Sequence, residues 1–221
     1  MASRIPERTT VLQKLQRELE SIYRFESQLV VSDFIIDRER WRAHSEADTA
    51  EELLVIENDG EVEVGLFLDE AVIDVLARDD GDWTHQRLQA HCRAVEGVSH
   101  FLYVTQRAVV PRPVSQLELE LQAEIDKFAT VVLRLWEAGQ RHAASLLRSL
   151  LFEQVSFRED LSEAQRSRYE RANWLASTYC RFLERRYIAH NSIEGFLADL
   201  RRIYRLGAGE KLSYAAAGNA P

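Results

Sequence analysis

A stretch between residues 85 and 100 carries the side chains whose types best suit catalysis or metal binding. It contains His85, His91, Cys92, Glu96 and His100. On a helix, His85 and Cys92 would share one face because they are seven residues apart. Two ligands on one face fall short of the three or four that a zinc site needs. We therefore expect no metal and no cofactor.

Glu96 and His100 are the candidate acid–base pair of this stretch. A carboxylate and an imidazole four residues apart meet on the surface of a helix, where they are able to exchange protons with a substrate. From Val98 to Val104, however, the alternation of side chains fits a strand as well as a helix, and we predict a strand. In a strand, Glu96 and His100 would lie on the same face but well apart from each other. An enzyme that uses them on a small molecule is therefore an alternative function.

The motifs of several enzyme classes do not occur in the sequence. There is no Gly-x-Ser-x-Gly nucleophile elbow, and neither GxGxxG nor GxxxxGK is present to hold phosphates. Glu118, Glu120 and Glu124 lie close together, but the Glu-x-x-His repeat of di-iron bundles is missing. The sequence leaves the question of an enzyme open and favours a non-enzymatic interaction or regulatory protein.

Acidic residues are concentrated in one part of the chain. The formal net charge of the 221 residues is −8, but residues 1–138 contribute −12 and residues 139–221 contribute +4. Between Glu46 and Asp82 there are 14 acidic residues and a single base, Arg78. Such a surface attracts a basic protein partner with a strength that falls as salt is added. The residues that we predict to contact this partner are Glu57, Asp59, Glu61 and Glu63.

The acidic hairpin also has a purely structural interpretation. Like charges on an edge hairpin keep it solvated and deter pairing with the edge of another sheet. Both interpretations place the charges on an exposed edge, and only the first requires a partner.

The C-terminal half offers a different surface, with nine arginines between residues 166 and 205 and Trp174 among them. Arginines interleaved with aromatic rings are typical of a nucleic-acid groove. The acidic residues Glu163, Glu170 and Glu184 are interleaved with these arginines along the same helices. Such acids form ion pairs with the arginines, which disfavours nucleic-acid binding. Nucleic-acid binding is the weaker alternative, and the apolar faces of these helices are a candidate homodimer seam.

Hydrophobic periodicity predicts the elements that position these groups. A helix is expected from Val11 to Glu26, and a hairpin over Leu53–Leu68 with its turn at Asp59-Gly60. Ser115 caps a long helix that ends near Gly139, and further helices follow to Leu206. We predict an α+β fold with an N-terminal helix, a small antiparallel sheet made of the hairpin and flanking strands, and a mainly helical C-terminal half.

Length and composition are typical of a globular protein. With 46% hydrophobic residues the chain has enough apolar surface for one compact domain over residues 1–221, with an acidic α/β part at 1–112 and a helical part at 113–221. Cys92 and Cys180 suggest no disulfide framework, and no apolar stretch reaches the ~18 residues of a membrane span. We expect a cytoplasmic protein without membrane contact. Its three lysines against 25 arginines are typical of a GC-rich bacterial gene.

Overall fold

The computed structural model describes residues 4–58, 61–78, 83–109, 114–155 and 161–218. The chain forms two compact units. Unit 1 comprises Met1–Glu20 and Glu26–Pro111, and unit 2 comprises Ser21–Phe25 and Arg112–Pro221. The acidic hairpin and the histidine-bearing stretch both belong to unit 1, whereas the arginine-rich helices belong to unit 2.

Unit 1 is built from helices around a small sheet. The predicted N-terminal helix is confirmed, and its buried stripe in this unit consists of Leu12, Leu15 and Leu19. A 3₁₀ turn follows at Val31–Phe34. The remaining bounds are α1 Arg4–Tyr23, β1 Ile35–Ile36, α2 Arg38–Arg42, β2 Glu51–Asn58, β3 Glu61–Leu68, α3 Glu70–Ala77 and α4 His85–Val109.

The sheet has the strand order β1-β3-β2 and is mixed rather than wholly antiparallel. β2 and β3 form the predicted hairpin, with Glu51 opposite Leu68 and Asn58 opposite Glu61. β1 lies parallel to β3, with Ile35 opposite Leu66. β1 and β3 run the same way because the chain reverses direction twice between them, through α2 and then through the hairpin. β1 and β2 are therefore the two edges of the sheet.

The prediction of a strand over residues 98–104 is wrong, because α4 continues through this segment to Val109. Ser99 and Tyr103 are buried as well as Val98, Phe101 and Leu102, so α4 is enclosed on more than one side here. Gly97 lets α4 approach the sheet closely. A Cβ added at Gly97 would lie 2.9 Å from Leu66 Cδ1 and 3.1 Å from Glu51 Cγ. Alternation of polar and apolar residues is a weak guide for an element buried in this way.

Unit 2 is helical. Ser115 caps the helix α5 (Gln116–Glu137) as predicted, since its hydroxyl accepts a hydrogen bond from the Glu118 amide at 3.2 Å. The helix α7 (Glu163–Leu183) is followed directly by a π-helical turn, Glu184–Ile188. The helices are α5 Gln116–Glu137, α6 Ala144–Phe152, α7 Glu163–Leu183, α8 Ile193–Arg205 and α9 Ala208–Ala216. Their core contains Leu121, Ile125, Phe128, Leu175, Leu183, Phe196, Leu200 and Ile203.

These elements confirm the predicted fold class. The protein is α+β, with an N-terminal helix, a small sheet that contains the hairpin, and a mainly helical C-terminal half. Among the described residues no helix is both long enough and apolar enough to cross a membrane.

Candidate functional site

The acidic hairpin is the first candidate site, and β2 is its outer strand. In the sheet order β1-β3-β2, the described part of the chain supplies one strand neighbour to β2, namely β3. Val55, near the middle of β2, is 48% exposed. The edge of β2 is thus eight residues long and carries an apolar side chain that is open to solvent.

The four residues predicted to contact a partner occupy different positions in this hairpin. Glu57 lies in β2 opposite Val62, and Glu61 lies in β3 opposite Asn58. Glu63 is exposed and forms an ion pair with Arg40, with 3.2 Å between Glu63 Oε2 and Arg40 Nη2. Asp59 lies outside the described residues. The structure therefore brings three of the four onto adjacent strands.

Arginines of α2 lie against carboxylates of the acidic stretch. Arg38 pairs with Asp69 at 2.6 Å, and Arg42 lies 3.8 Å from Asp48. Together with the Arg40 pair, these contacts compensate part of the negative charge between residues 46 and 82. The pairs are solvent-exposed, and exposed pairs of this kind contribute about 0–1 kcal/mol each. No local pattern indicates the pairs of Arg38 and Arg40, whose partners lie 31 and 23 residues further along the chain.

Other carboxylates of the acidic stretch have structural roles. Glu52 Oε2 accepts hydrogen bonds from Trp41 Nε1 and from Ser45 Oγ, each at 2.7 Å. Trp41 is fully buried and stacks on Phe67 with 4.0 Å between ring centroids. Asp69 caps α3 by accepting the Ala71 amide hydrogen bond at 2.9 Å. These two acids hold the sheet and its neighbouring helices in place.

The acid–base candidates lie on α4. Glu96 and His100 are one helical turn apart, because the segment is a helix. The imidazole of His100 also approaches a second carboxylate: His100 Nδ1 lies 3.8 Å from Glu51 Oε1, and both side chains are largely buried. The sequence did not indicate Glu51, which comes from a different element. His100 thus has the Glu51 carboxylate beside it, while Glu96 lies one turn earlier on the same helix.

The remaining residues of the histidine-bearing stretch do not converge on one point. His91 is buried against the edge of the Trp83 ring, with centroids 5.3 Å apart. His85 is exposed and hydrogen-bonded to Gln89 at 2.8 Å. Within the described ranges, no group of three or more His, Cys, Asp or Glu side chains is arranged to hold a metal ion.

Unit 2 contains a buried polar network that the sequence did not indicate. The Tyr23 hydroxyl donates to Asp126 Oδ1 and accepts from Gln122 Nε2 at 2.9 Å. Lys211 Nζ, in a side chain with no exposed surface, donates to Gln122 Oε1 at 2.7 Å. Burial and the Asp126 carboxylate both raise the pKa of Tyr23, because both disfavour the phenolate. Tyr23 and Asp126 are far apart in the sequence, so no local spacing signals their contact.

A second cluster in unit 2 surrounds the Asp199 carboxylate. It accepts hydrogen bonds from Tyr179 at 2.7 Å, from Tyr187 at 2.9 Å and from Tyr214 at 3.1 Å. Tyr187 lies in the π-helical turn, and Tyr214 lies in α9. Burial and the Asp199 charge raise the pKa of Tyr214 to about 12. The cluster links three elements by hydrogen bonds to one carboxylate.

Several arginines of the weaker nucleic-acid alternative make contacts within unit 2. Arg168 donates to Gln116 Oε1 at 2.6 Å, and Arg181 lies 3.6 Å from Glu153. Arg201 donates to the Ile22 carbonyl at 2.7 Å. Trp174 is half exposed, and the Arg171 guanidinium lies 5.0 Å from its ring centroid.

Comparison with known proteins returns no match for this chain, whether to a protein-family model, to a curated protein or to a solved structure.

Proposed function

We propose that the protein is an interaction module that binds a basic protein segment in extended conformation along the outer edge of β2. The observation that carries the proposal is the position of β2 at the edge of the sheet, with eight residues and with β3 as its strand neighbour in the described structure. Peptides that add a strand to such an edge gain affinity from main-chain hydrogen bonds, and side-chain pockets give specificity.

Charge selects the class of partner. Residues 53–68 of the hairpin include four acidic residues and no lysine or arginine. Glu57 lies in β2 itself, and Glu61 and Glu63 lie one strand further in, in β3, so the basic residues of an incoming strand would be attracted to negative charge on both strands. The apolar side chain of Val55 offers a contact for an apolar residue of the same strand. A basic strand with interspersed apolar residues is the occupant that fits both features.

The test uses the full chain and a labelled peptide in which lysine alternates with valine, with a length that matches β2. Binding is measured by fluorescence anisotropy at low and high salt. A peptide with the same side chains but with alternate amides N-methylated is the matched probe, because it keeps the charge and loses hydrogen-bonding N–H groups. We expect the first peptide to bind, and to bind at least about tenfold more weakly at high salt. Equal binding of the N-methylated peptide would overturn the edge pairing.

A charge-matched pair of variants locates the surface. Neutralising Glu57, Glu61 and Glu63 to glutamine should weaken binding of the lysine-valine peptide. Neutralising Glu137, Glu163 and Glu170, which are exposed on unit 2, changes the net charge equally and should leave binding near the parent value. If both triple variants lost the same affinity for the peptide, binding would depend on the overall charge of the protein and not on the hairpin.

The alternative function, an enzyme that uses Glu96 and His100, requires a substrate cavity against these side chains. One described cleft of unit 1 is bounded by residues of β1, β3 and α3, and neither Glu96 nor His100 lines it. We favour the binding function, because the edge position of β2 supports it directly.

A further inference from the structure

Three arginines of unit 2 lie close together where the end of α1 meets the end of α8. Arg201 of α8 donates a hydrogen bond from Nε to the Ile22 carbonyl at 2.7 Å. Arg205 is four residues further along α8 and therefore lies on the same face of this helix. Arg24 follows Ile22 by two residues and has a left-handed backbone conformation, with φ of 54°. The fold thus brings positive charges from two distant segments onto one surface.

A stack of aromatic rings holds these two segments beside each other. The Tyr204 ring stacks on Tyr23 with 4.0 Å between centroids, and on Phe25 with 5.7 Å between centroids. Tyr23 and Tyr204 are buried, and Phe25 is half-buried. Arg24 lies between the two stacked residues of its segment, and Arg205 directly follows Tyr204. Packed rings therefore fix the backbone that carries the arginines.

The positive charges of this cluster have no acidic partners within the described parts of the chain. There, no carboxylate pairs with Arg24, Arg201 or Arg205, and the one side-chain hydrogen bond of Arg201 comes from its Nε. Partial burial lowers the pKa of Arg201, and the charges of Arg24 and Arg205 lower it further. The C-terminal ends of α1 and α8 together supply about one negative charge, so roughly two positive charges remain unmatched.

The unmatched charge and the adjacent ring indicate the chemistry of a ligand. Like charges that lie together destabilise a protein, and an anion bound between them would remove the repulsion. Guanidinium groups bind phosphate oxygens in pairs, and a phosphate monoester carries about −1.5 to −2 charges at neutral pH. Tyr204 covers one face of the Phe25 ring, and a planar ring on the opposite face would extend the stack.

We infer that Arg24, Arg201 and Arg205 bind a phosphate monoester of a planar aromatic molecule, and that nucleoside monophosphates are the class that fits. The phosphate accepts hydrogen bonds from the guanidinium groups, and the base stacks on Phe25. A nucleic-acid strand distributes single charges over successive phosphates, so it matches this local charge less well. The site belongs to unit 2 and does not depend on the proposed peptide edge, which belongs to unit 1.

The experiment compares adenosine monophosphate, adenosine and inorganic phosphate by isothermal titration calorimetry on the full chain at neutral pH. We expect the monophosphate to bind at least about tenfold more tightly than either of the other two. Equal affinity of the monophosphate and adenosine, or no measurable binding of the monophosphate, would overturn the phosphate site. Inorganic phosphate that binds as tightly as the monophosphate would overturn the stacking on Phe25. A single-stranded oligonucleotide without a terminal phosphate is the last probe, and tighter binding of this probe would assign the arginines to nucleic acid instead.

Charge-matched variants place the ligand. Arg24→Gln and Arg205→Gln should each weaken binding of adenosine monophosphate at least about fivefold, because each removes a guanidinium group from the phosphate. Arg185→Gln is the control, since Arg185 is exposed in the π-helical turn and its replacement changes the net charge equally. Full affinity in both cluster variants, or an equal loss in the control, would contradict the assignment.

Thermal unfolding without ligand separates a binding role from a structural role. Removing one of three charges that repel one another should leave the unfolding midpoint of Arg24→Gln unchanged or higher. A lower midpoint together with parent affinity for adenosine monophosphate would give Arg24 a structural role and contradict the inference.

Discussion

Glu51 and His100 meet where β2 begins and α4 passes the sheet, with 3.8 Å between Glu51 Oε1 and His100 Nδ1. The carboxylate that starts the acidic hairpin therefore points into unit 1, and its charge is not available to a partner at the surface. Gly97, one turn before His100, makes the approach possible, because a larger residue there would contact Glu51 and Leu66. This close packing has a direct consequence for stability.

Replacing Gly97 with alanine should destabilise the protein by about 1–3 kcal/mol, because the added methyl group overpacks the contact between α4 and the sheet. Gly209→Ala is the matched control. A Cβ at Gly209 would meet no atom within 4 Å, so the higher helix propensity of alanine should leave α9 unchanged or stabilise it by up to about 1 kcal/mol. Urea unfolding of the two variants measures the difference. A Gly97→Ala protein as stable as Gly209→Ala would show that α4 tolerates the methyl group.

Replacing Asp199 with asparagine should lower the free energy of unfolding by about 1.5–3 kcal/mol, the range for hydrogen bonds to a charged group. The amide nitrogen of asparagine cannot accept from a tyrosine hydroxyl, so at least one of Tyr179, Tyr187 and Tyr214 loses its acceptor. Asp48→Asn is the control, since the Asp48 side chain is 97% exposed, and it should change stability by less than about 0.5 kcal/mol. Denaturant titration of both proteins should separate them clearly, and equal stabilities would rule out a structural role for the cluster.

Stability should fall as the pH rises from ~10, the ordinary pKa of tyrosine, to about 12, the raised pKa of Tyr214. In that interval the unfolded chain loses the Tyr214 proton while the folded protein keeps it, so each rise in pH favours unfolding. The variant Tyr214→Phe should show a shallower fall over the same interval. Unfolding measured at several alkaline pH values tests this. Identical slopes for the parent and Tyr214→Phe would contradict the assignment.

Removing the Arg40 side chain should strengthen the proposed peptide binding at the hairpin. Arg40 pairs with Glu63 at the surface, and Arg40→Gln releases this carboxylate for a cationic partner. We expect an increase in affinity for the lysine-valine peptide of about two- to fivefold, which corresponds to an exposed ion pair of up to about 1 kcal/mol. Arg17→Gln changes the net charge equally from an exposed position on α1. If both variants gained affinity to the same degree, the Arg40–Glu63 pair would have no specific part in binding.

The sequence was a good guide to the elements whose pattern is local. The hairpin around residues 58–61, the N-terminal helix and the cap at Ser115 all follow from residues within a few positions of one another. The segment 98–104 was assigned wrongly because Ser99 and Tyr103 are buried together with the apolar stripe, so that burial on more than one side of α4 obscures the helical period. The short helix α2 was not predicted, because it is stabilised by burial of Trp41 against Phe67, a residue distant in the sequence.

By itself, the sequence determined that negative charge is concentrated near one hairpin and that the second half is helical. Local charge and hydrophobic periodicity depend on residues that are neighbours in the sequence, so both can be determined without knowing the fold. Only the tertiary structure decided which carboxylates are used internally: Glu51 at His100 and Glu52 at Trp41 in unit 1, and Asp199 with three tyrosines in unit 2. Such pairs form between residues that are distant in the chain, because a buried carboxylate must find donors wherever the packed elements bring them.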